Sequence, residues 1–269
     1  MILVALHGFF GSPEDWDRAL LDLDPTLEIE VILPDLGVWA TRAGVTDFES
    51  FAETFNRSVR IFNEERGEPV MIAGYSLGAR LAAHCVLEAP DLYQAAFLVS
   101  MNPGLPANDL QARRTRYEAD KAWAERARKE AWVETWRAWN EQAVLRPGPR
   151  ARRKPALSDE EQARQSRKLE GRREAWARAM ELWSLGVQRD LREALLEWAQ
   201  VSPRKLTLMT GTDDAKFTEM TVNWMSAAGI TQAGEGSVRH RQVLGAGHRI
   251  LEEAPEELVS EITALVSRL

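Results

Sequence analysis

Short strand-like segments recur along the chain. Residues 2–6 and 69–73 are continuous apolar runs, and residues 205–210 and 241–244 are two further segments of strand composition. Apolar runs of this length are typical of strands that are buried on both faces of a parallel sheet. Residues 79–87, which follow the second run, have the composition of a helix. The pattern predicts an α/β protein with a mostly parallel sheet.

The middle of the chain has a helical pattern instead. Trp132, Trp136 and Trp139 recur at the spacing of one face of an amphipathic helix, which favours core packing over ligand stacking for most of this stripe. Residues 146–155 are rich in arginine, proline and glycine and are interpreted as a mobile linker. A capping signal at 158–161 predicts the start of the next helix.

This helical region also differs from the rest of the chain in charge. Residues 113–174 contain 18 Lys and Arg against 11 Asp and Glu, whereas the whole chain has a net charge of −7. We interpret the region as a helical cap inserted into an α/β core. The predicted parts are a first core segment, the cap and a second core segment, at residues 1–105, 106–185 and 186–269.

A basic insertion that contains tryptophans raises the question of nucleic-acid binding, because Lys and Arg neutralise phosphates and aromatic rings stack on bases. The acidic remainder of the chain would repel a polyanion. Acidic residues also alternate with the basic ones at helical spacing, as they do on solvated helix faces. We therefore expect no nucleic-acid partner.

Residues 74–78 read Gly-Tyr-Ser-Leu-Gly, a G-x-S-x-G motif between an apolar run and a helix. A serine on such a strand-to-helix turn is exposed, the glycines permit its strained backbone, and the helix N-terminus stabilises an anion formed beside it. A chance match in a glycine-containing turn is the alternative, which the flanking strand and helix disfavour. Ser76 is therefore predicted as a catalytic nucleophile or base. A cap over it would form a lid, whose arginines predict a small anionic carboxylate substrate.

A serine at its ordinary pKa is inert and needs a histidine base that a carboxylate orients. Of the four histidines, His248 lies in a glycine-rich loop after a predicted strand, where open α/β sheets place their chemistry. His84 falls on the helix after the serine and is expected to pack or to lie at the surface. His240 lies between two arginines and is expected on a solvated face. His248 is therefore the predicted base.

The carboxylate has two candidates, Asp213 and Asp214, in the polar turn after residues 205–210. Adjacent residues in a turn point in different directions, so spacing alone does not choose between them. The aspartate that is not used is expected to be an ordinary turn residue.

His7 belongs to a separate motif, because the first apolar run leads directly into His7-Gly8-Phe9. In hydrolases with a G-x-S-x-G serine, such a loop supplies one backbone N–H to an oxyanion hole, and the residue after the serine supplies the other. We therefore predict the backbone N–H groups of Phe9 and Leu77 as oxyanion donors.

Length and composition fit one enzyme-sized globular unit with an insertion. The chain has 269 residues, of which 45% are apolar, and Cys85 is its single cysteine, so no disulfide forms within the chain. No Cys/His cluster has zinc spacing, the N-terminal pattern is not that of a signal peptide, and no segment approaches a membrane span. We expect a cytoplasmic protein that uses no metal and no cofactor. The sequence leaves the oligomeric state open.

Two features of the chain are especially selective: the arginine four residues after the serine and the Asp-Ala-Lys-Phe run at 214–217. They occur together with 6–9, 74–79, 102–105, Arg116 with Asp120 and Trp123, Trp139 with Gln142, 184–188, 190–192, 211–213 and 247–248. In this order along the chain, these stretches resemble one family with the α/β-hydrolase fold, the menaquinone-pathway synthases that form 2-succinyl-6-hydroxy-2,4-cyclohexadiene-1-carboxylate by eliminating pyruvate. The resemblance implies a doubly wound, mostly parallel sheet with an inserted helical cap.

The resemblance also implies roles for individual residues. Ser76, Asp214 and His248 correspond to a catalytic triad, because the family's aspartate directly precedes the x-Lys-Phe run. The implied substrate contacts are the side chains of Tyr75, Arg80, Arg116 and Trp139. Arginines pair with carboxylates in a forked geometry, and tyrosine and tryptophan offer an apolar wall with one polar group.

The implied activity is a lyase-type synthesis in which pyruvate is eliminated from an enolpyruvyl succinyl cyclohexene carboxylate. His248 would take the proton of Ser76, whose oxygen would then abstract a ring proton from the substrate. The same groups could attack an ester or a thioester, so a hydrolase of either kind is the alternative. A non-catalytic binding protein that kept the fold is a third.

Overall fold

Parallel strands form a single sheet in the computed structural model, which describes residues 1–150, 159–201, 204–230 and 236–269. The strands are β1 (Ile2–Leu6), β2 (Glu30–Ile32), β3 (Val70–Tyr75), β4 (Ala95–Val99), β5 (Lys205–Gly211) and β6 (Val238–Val243). Their order in the sheet is β2-β1-β3-β4-β5-β6, and every neighbouring pair is parallel. The predicted α/β class is confirmed, and the sheet is parallel throughout its described strands.

Helices connect these strands. The helices of the described residues are α1 (Pro13–Ala19), α2 (Leu36–Thr41), α3 (Phe48–Asn63), α4 (Leu77–Glu88), α5 (Leu110–Lys129), α6 (Trp132–Asn140), α7 (Asp159–Glu170), α8 (Arg173–Leu182), α9 (Arg192–Gln200), α10 (Ala215–Ala227), α11 (Ile250–Glu253) and α12 (Pro255–Val266). Short 3-10 turns lie at Pro25–Leu27 and Ala143–Leu145. None of these helices is long and apolar enough to cross a membrane.

The sheet is buried on both faces. Ile2 and Val4 of β1 pack into one apolar cluster with residues of α3 and α4. Leu3 and Ala5 pack into a second cluster with residues of α1 and α12. Successive side chains of a strand point to opposite faces, so a continuous apolar run is what a doubly covered strand requires.

The predicted strands differ in how closely they match the structure. β1 has the predicted bounds, and β3 and β5 each extend slightly beyond the predicted segment. β6 begins at Val238, three residues before the predicted start at Arg241. The sequence does not reveal the start of β6 because its first residues include arginines and a histidine. Hydrophobicity alone does not identify a strand that contains both apolar and charged side chains.

The cap region of the sequence forms α5 to α8, between β4 and α9. α5 is tied to α8 by Arg128, whose guanidinium lies 2.6 Å from Glu181 and 3.1 Å from Glu174. Trp132 is buried and donates to Ser166 O at 2.7 Å, as the packing interpretation expects. The domain boundaries at 105/106 and 185/186 stay predictions.

Residues 146–150, the first part of the predicted mobile linker, are held against the core, so that interpretation is wrong for them. Arg150 N donates to Gly245 O at 3.1 Å, and its guanidinium pairs with Glu256 at 2.8 Å and also with Glu257. The rest of the predicted linker, residues 151–155, lies outside the described residues. So does Ser158 of the predicted capping signal, after which α7 begins.

Candidate active site

Ser76 occupies a tight turn between β3 and α4. Its φ of 53° and ψ of −108° are strained for a residue with a side chain, and its N–H donates to Val99 O at 2.9 Å. A Cβ atom on Gly74 would lie 2.4 Å from Gly78 O, and one on Gly78 would lie 2.1 Å from Leu6 O. Both positions require glycine because β1, β3 and α4 approach so closely. The turn presents Ser76 at the carboxyl end of the sheet.

Ser76, His248 and Asp214 lie in one hydrogen-bonded chain. His248 Nδ1 is 2.7 Å from Asp214 Oδ2, and His248 Nε2 is 3.2 Å from Ser76 Oγ. An ionised carboxylate only accepts hydrogen bonds, so Nδ1 carries the ring proton and Nε2 is available to take the serine proton. His248 and Asp214 are 3% and 5% exposed. The arrangement has the geometry of a nucleophile, a base and an orienting carboxylate.

Asp214 reaches His248, and Asp213 does not make this contact. Asp214 is the N-cap of α10, where Oδ1 accepts from Phe217 N at 3.4 Å while Oδ2 contacts the histidine. The Asp213 carboxylate lies 3.5 Å from the Thr212 hydroxyl in the preceding turn. Of the two aspartates between which spacing could not choose, Asp214 is therefore the one positioned to orient His248.

Phe9 and Leu77, the predicted oxyanion donors, both line the cavity that contains Ser76 Oγ. Leu77 is the first residue of α4. Backbone N–H groups in the first turn of a helix have no partner within the helix. Leu77 therefore has a backbone donor beside the serine, and Phe9 lines the same cavity.

His7 fixes the loop that carries Phe9. Its Nε2 accepts from Leu36 N at 3.0 Å, and its Nδ1 lies 3.0 Å from Gly8 O. These partners assign the proton to Nδ1, which requires a neutral ring. Burial lowers the pKa of His7 to about 4, so the ring is neutral at neutral pH.

The serine cavity has a volume of about 100 Å3 and lies between the core and the cap. Three of the four implied substrate contacts line it: Arg80, Arg116 and Trp139. Trp139 extends the aromatic wall, with its ring centroid 5.8 Å from that of Phe9. The cavity thus joins the serine to two cationic side chains and an apolar wall.

Arg80 is 5% exposed, and its guanidinium contacts neutral oxygens. Nη1 donates to Gln188 Oε1 at 3.0 Å, and Nη2 donates to Trp183 O at 2.8 Å. Burial, together with the nearby charge of Arg116, lowers the pKa of Arg80 to about 9, which leaves it cationic at neutral pH. In the described part of the chain, no carboxylate forms an ion pair with it. Arg80 therefore brings to the cavity a positive charge that no described carboxylate pairs with directly, since the nearby Asp120 is paired with Arg116.

Arg116 differs from Arg80 because it has a carboxylate partner. Its Nε and Nη2 each lie 2.8 Å from an oxygen of Asp120, which is buried and also accepts from Ser184 Oγ at 2.7 Å. A forked pair of this kind fixes the plane of the guanidinium. Arg116 lines the cavity with a side chain whose orientation is set and whose charge is largely balanced.

Tyr75, the fourth implied contact, does not line the serine cavity, although its ring centroid lies 5.6 Å from that of His248. It lines a second cavity of about 370 Å3, and its ring packs against Gly8, where a Cβ atom would lie 3.0 Å away. Burial raises the pKa of the Tyr75 hydroxyl well above its usual value, so this group is a neutral donor or acceptor. The residues that form part of the wall of both cavities are Phe9, Trp139 and Leu145.

Further residues that the sequence did not single out as contacts also line the serine cavity, among them Gln142, Leu145, Lys216 and Phe217. Gln142, Lys216 and Phe217 occur in the stretches that carry the family resemblance, which is the signal that could have identified them. Leu145 has no periodic neighbours and gives no such signal. It reaches the cavity because the chain after α6 folds back across the cap.

The other two histidines lie outside this site. His84 is buried and stacks on Phe48 with a centroid distance of 4.4 Å, which agrees with the expected packing role. The expectation for His240 is wrong, because this residue is 7% exposed and its Nε2 lies 2.8 Å from Thr210 Oγ1. Within the described ranges, no group of three or more His, Cys, Asp or Glu side chains is arranged to hold a metal ion.

The sheet, the serine turn and the histidine loop match a known family over nearly the whole chain. Residues 3–261 match the pattern described as the Alpha/beta hydrolase family. The chain belongs to the alpha/beta hydrolase family. The predicted fold class is thereby confirmed, and so is the prediction of an enzyme, whether a synthase or a hydrolase.

Several curated relatives of this alpha/beta hydrolase carry the name 2-succinyl-6-hydroxy-2,4-cyclohexadiene-1-carboxylate synthase. The Klebsiella pneumoniae subsp. pneumoniae protein is 30% identical over 218 residues, which cover 80% of this chain and 78% of the relative. The Pectobacterium atrosepticum protein is 34% identical over 144 residues, which cover 53% of this chain and 54% of the relative. The chain thus spans about half the length of some relatives that it matches and more than three quarters of others. The family resemblance seen in the sequence is confirmed.

A solved structure of the same fold is that of MenH from S. aureus. It superposes with a TM-score of 0.76 over 99% of this chain and 93% of the other, at 15% sequence identity. At this identity the likeness shows that the two proteins share a fold.

Proposed function

We propose that this alpha/beta hydrolase is a synthase that eliminates pyruvate from an enolpyruvyl succinyl cyclohexene carboxylate and so forms 2-succinyl-6-hydroxy-2,4-cyclohexadiene-1-carboxylate. The observation that carries the proposal is the buried Arg80 guanidinium, which lines the same cavity as Ser76. Its hydrogen bonds among the described residues go to neutral oxygens, and its other neighbours include the rings of Phe9 and Phe48. The names of the curated relatives support the same reaction.

A buried cation without a carboxylate partner is costly to fold, because the protein gives it little compensation for the water that it loses. A substrate carboxylate would supply that compensation through charge-assisted hydrogen bonds. Arg116 offers a second donor with a preset orientation, and Lys216 adds a third cation at the cavity wall. A site built for neutral esters gains nothing from these charges.

In the proposed reaction the triad acts as a proton relay. His248, held by Asp214, takes the proton of Ser76, and the Ser76 oxygen removes a proton from the substrate ring. The electrons of the broken C–H bond first delocalise onto a substrate carbonyl oxygen. When they return to the ring, the bond to the enolpyruvyl oxygen breaks. The enolpyruvyl group leaves and becomes pyruvate on protonation. No acyl-enzyme forms.

Negative charge develops on a substrate carbonyl oxygen before the leaving group departs. The backbone N–H groups of Phe9 and Leu77 are the donors that we propose for this oxygen. Donors held in place before the reaction stabilise such charge without reorganising, which is worth about 3–4 kcal/mol per donor in well-studied oxyanion holes. The steps use side chains and backbone groups of this chain alone.

The test is release of pyruvate. Purified protein is incubated with the enolpyruvyl substrate, and pyruvate is measured by a coupled lactate dehydrogenase assay. Wild-type protein should release it and Ser76→Ala should not. Arg80→Ala should raise KM for this substrate at least about tenfold, because a charged hydrogen bond contributes roughly 1.5–3 kcal/mol. Arg57→Ala, an exposed arginine paired with Glu53, is the matched control and should behave as wild type.

Other outcomes would point to the alternatives. Rapid turnover of short aryl esters or thioesters without pyruvate release would identify a hydrolase. Neither activity, together with tight binding of a carboxylate ligand, would identify a binding protein. In both cases the synthase proposal is rejected.

A further inference from the structure

Two backbone N–H groups from distant parts of the chain donate to one carboxylate oxygen. Glu253 Oε2 accepts from Gly247 N at 2.7 Å and from Gly148 N at 3.2 Å. Gly247 directly precedes His248. Gly148 belongs to the segment after α6, residues 142–150, which we call the strap. One side chain therefore bridges the cap and the loop that carries the catalytic base.

The strap and the histidine loop are in direct backbone contact at this point. A Cβ atom on Gly148 would lie 2.6 Å from Gly247 N and 2.7 Å from Gly245 O. Arg150 N adds a hydrogen bond to Gly245 O at 3.1 Å. Only glycine at position 148 allows the two segments to approach so closely.

The same strap forms part of the roof of the serine cavity. Gln142 and Leu145 line that cavity, while the loop on the other side of the contact places His248 3.2 Å from Ser76 Oγ. The contact between the strap and the histidine loop therefore determines both the shape of the substrate cavity and the position of the base.

Glu253 occupies an environment that costs energy. The side chain is 2% exposed, and its Oε1 has no hydrogen-bond partner among the described residues. A buried carboxylate is costly unless its hydrogen bonds compensate for the lost water. Neutral hydrogen-bonding groups could hold the loop with a smaller free-energy cost of burial. A carboxylate, however, makes stronger hydrogen bonds, and here one oxygen accepts from both backbone amides.

We propose that Glu253 is a positioning residue that couples the cap to the catalytic histidine. Its carboxylate holds His248 within reach of Ser76 when the strap is seated on the histidine loop, so the proton relay is complete when the cap is closed. This inference rests on the proposed use of the triad, and it is independent of which substrate the triad serves.

Two glycine substitutions in the cap region test the coupling. Gly148→Ala forces the strap away from the loop, whereas at Gly171 an added Cβ meets nothing within 4 Å. The first readout is the rate at which a fluorophosphonate labels Ser76, measured against pH. The second is the titration of the His248 ring, followed by NMR in the intact protein.

We expect Gly148→Ala to slow labelling roughly ten- to hundredfold and to shift the His248 midpoint, because small misplacements of reacting groups cost that much. Gly171→Ala should match wild type in both readouts. Glu253→Ala should resemble Gly148→Ala, and Glu253→Gln, which keeps an acceptor oxygen, should restore much of the rate.

A control separates positioning from general destabilisation. Asn56 is as buried as Glu253 and donates to Cys85 O at 2.9 Å, away from the site. Asn56→Ala should lower the melting temperature while leaving the pH dependence of labelling unchanged. If Glu253 has a purely structural role, Glu253→Ala will also lower the melting temperature and leave the pH dependence of labelling unchanged. This result would overturn the proposal.

The remaining outcomes are also decisive. Wild-type labelling rates and His248 midpoints in folded Gly148→Ala would show that the strap does not position the base. If Glu253→Ala does not fold, the comparison of Gly148→Ala with Gly171→Ala decides the question alone. If the fluorophosphonate labels Ser76 of the wild-type protein but no pyruvate is released, the synthase proposal is rejected. The labelling rates of the variants still test the coupling between the cap and His248.

Discussion

Arg80 donates to the amide oxygen of Gln188 at 3.0 Å. The amide nitrogen of Gln188 donates in turn to Asn102 O at 3.1 Å, so the two bonds fix which end of the amide faces the arginine. A glutamine holds the cation in place without neutralising it. The charge is therefore left for a ligand.

Gln188→Glu would give Arg80 a carboxylate partner of nearly the same shape. We expect KM for a carboxylate substrate to rise about tenfold or more, because the substrate must then compete with an internal ion pair. The rate of labelling of Ser76 by a neutral fluorophosphonate should change little. An unchanged KM in the pyruvate assay would contradict the proposed role of the Arg80 charge.

Asp214→Asn should reduce turnover by roughly 10⁴-fold without unfolding the protein. An asparagine amide presents a donor to His248 Nδ1 and favours the wrong ring tautomer, and a loss of this size follows the same change in serine proteases. Asp213→Asn is the matched control and should retain near wild-type activity, because Asp213 does not contact the histidine. Equal losses in both variants would argue against this assignment. Steady-state kinetics and circular dichroism of the three proteins provide the measurement.

Gly78→Ala should prevent stable folding. The added Cβ would lie 2.1 Å from Leu6 O and 2.5 Å from His7 O, so β1 and α4 would have to separate. Overpacking of this kind costs about 1–3 kcal/mol or more, and here the obstacle is backbone that cannot rotate away. Gly236→Ala, where a Cβ meets nothing within 4 Å, should keep wild-type stability in urea unfolding. A Gly78→Ala protein of normal stability would show that the contact can relax.

Stability should fall as the pH is lowered from about 6.5 towards 4, in part because of His240. Burial lowers the pKa of this histidine to about 4 in the folded protein, below the 6.5 of an unfolded chain. The unfolded state therefore binds the proton first, and stability that is fully present above pH 6.5 is lost as the pH falls through this window. His240→Gln keeps a polar group beside Thr210 but cannot titrate. Its urea-unfolding free energy should depend less steeply on pH, by an amount on the order of 2 kcal/mol across the window.

The parts of the site that the sequence predicts share a clear local signal. Ser76 lies between a strand and a helix, in a motif whose glycines are required by close backbone contacts, and the apolar run of β1 leads directly into the loop that carries Phe9. Such signals depend on residues that are close together in the sequence, so they can be recognised without knowledge of the fold.

The parts that the sequence misses depend on contacts between distant segments. His240 was expected in solvent because two arginines flank it, but alternate residues of β6 face opposite ways, and the histidine faces inward with Val238. Residues 146–150 of the strap were interpreted as part of a mobile linker because of their composition. Their position follows from a bond to a glutamate about a hundred residues further on, which no local pattern encodes.

The distance between partners along the chain has a consequence for biosynthesis. Ser76 and His248 are 172 residues apart, and Gly148 and Glu253 are 105 apart. While the ribosome is still translating the segment before β6, the nascent polypeptide contains Ser76 but not the histidine that we propose as its base. With the proposed roles, reactivity arises only when most of the message has been read, and an incomplete product released early is inert rather than partly active.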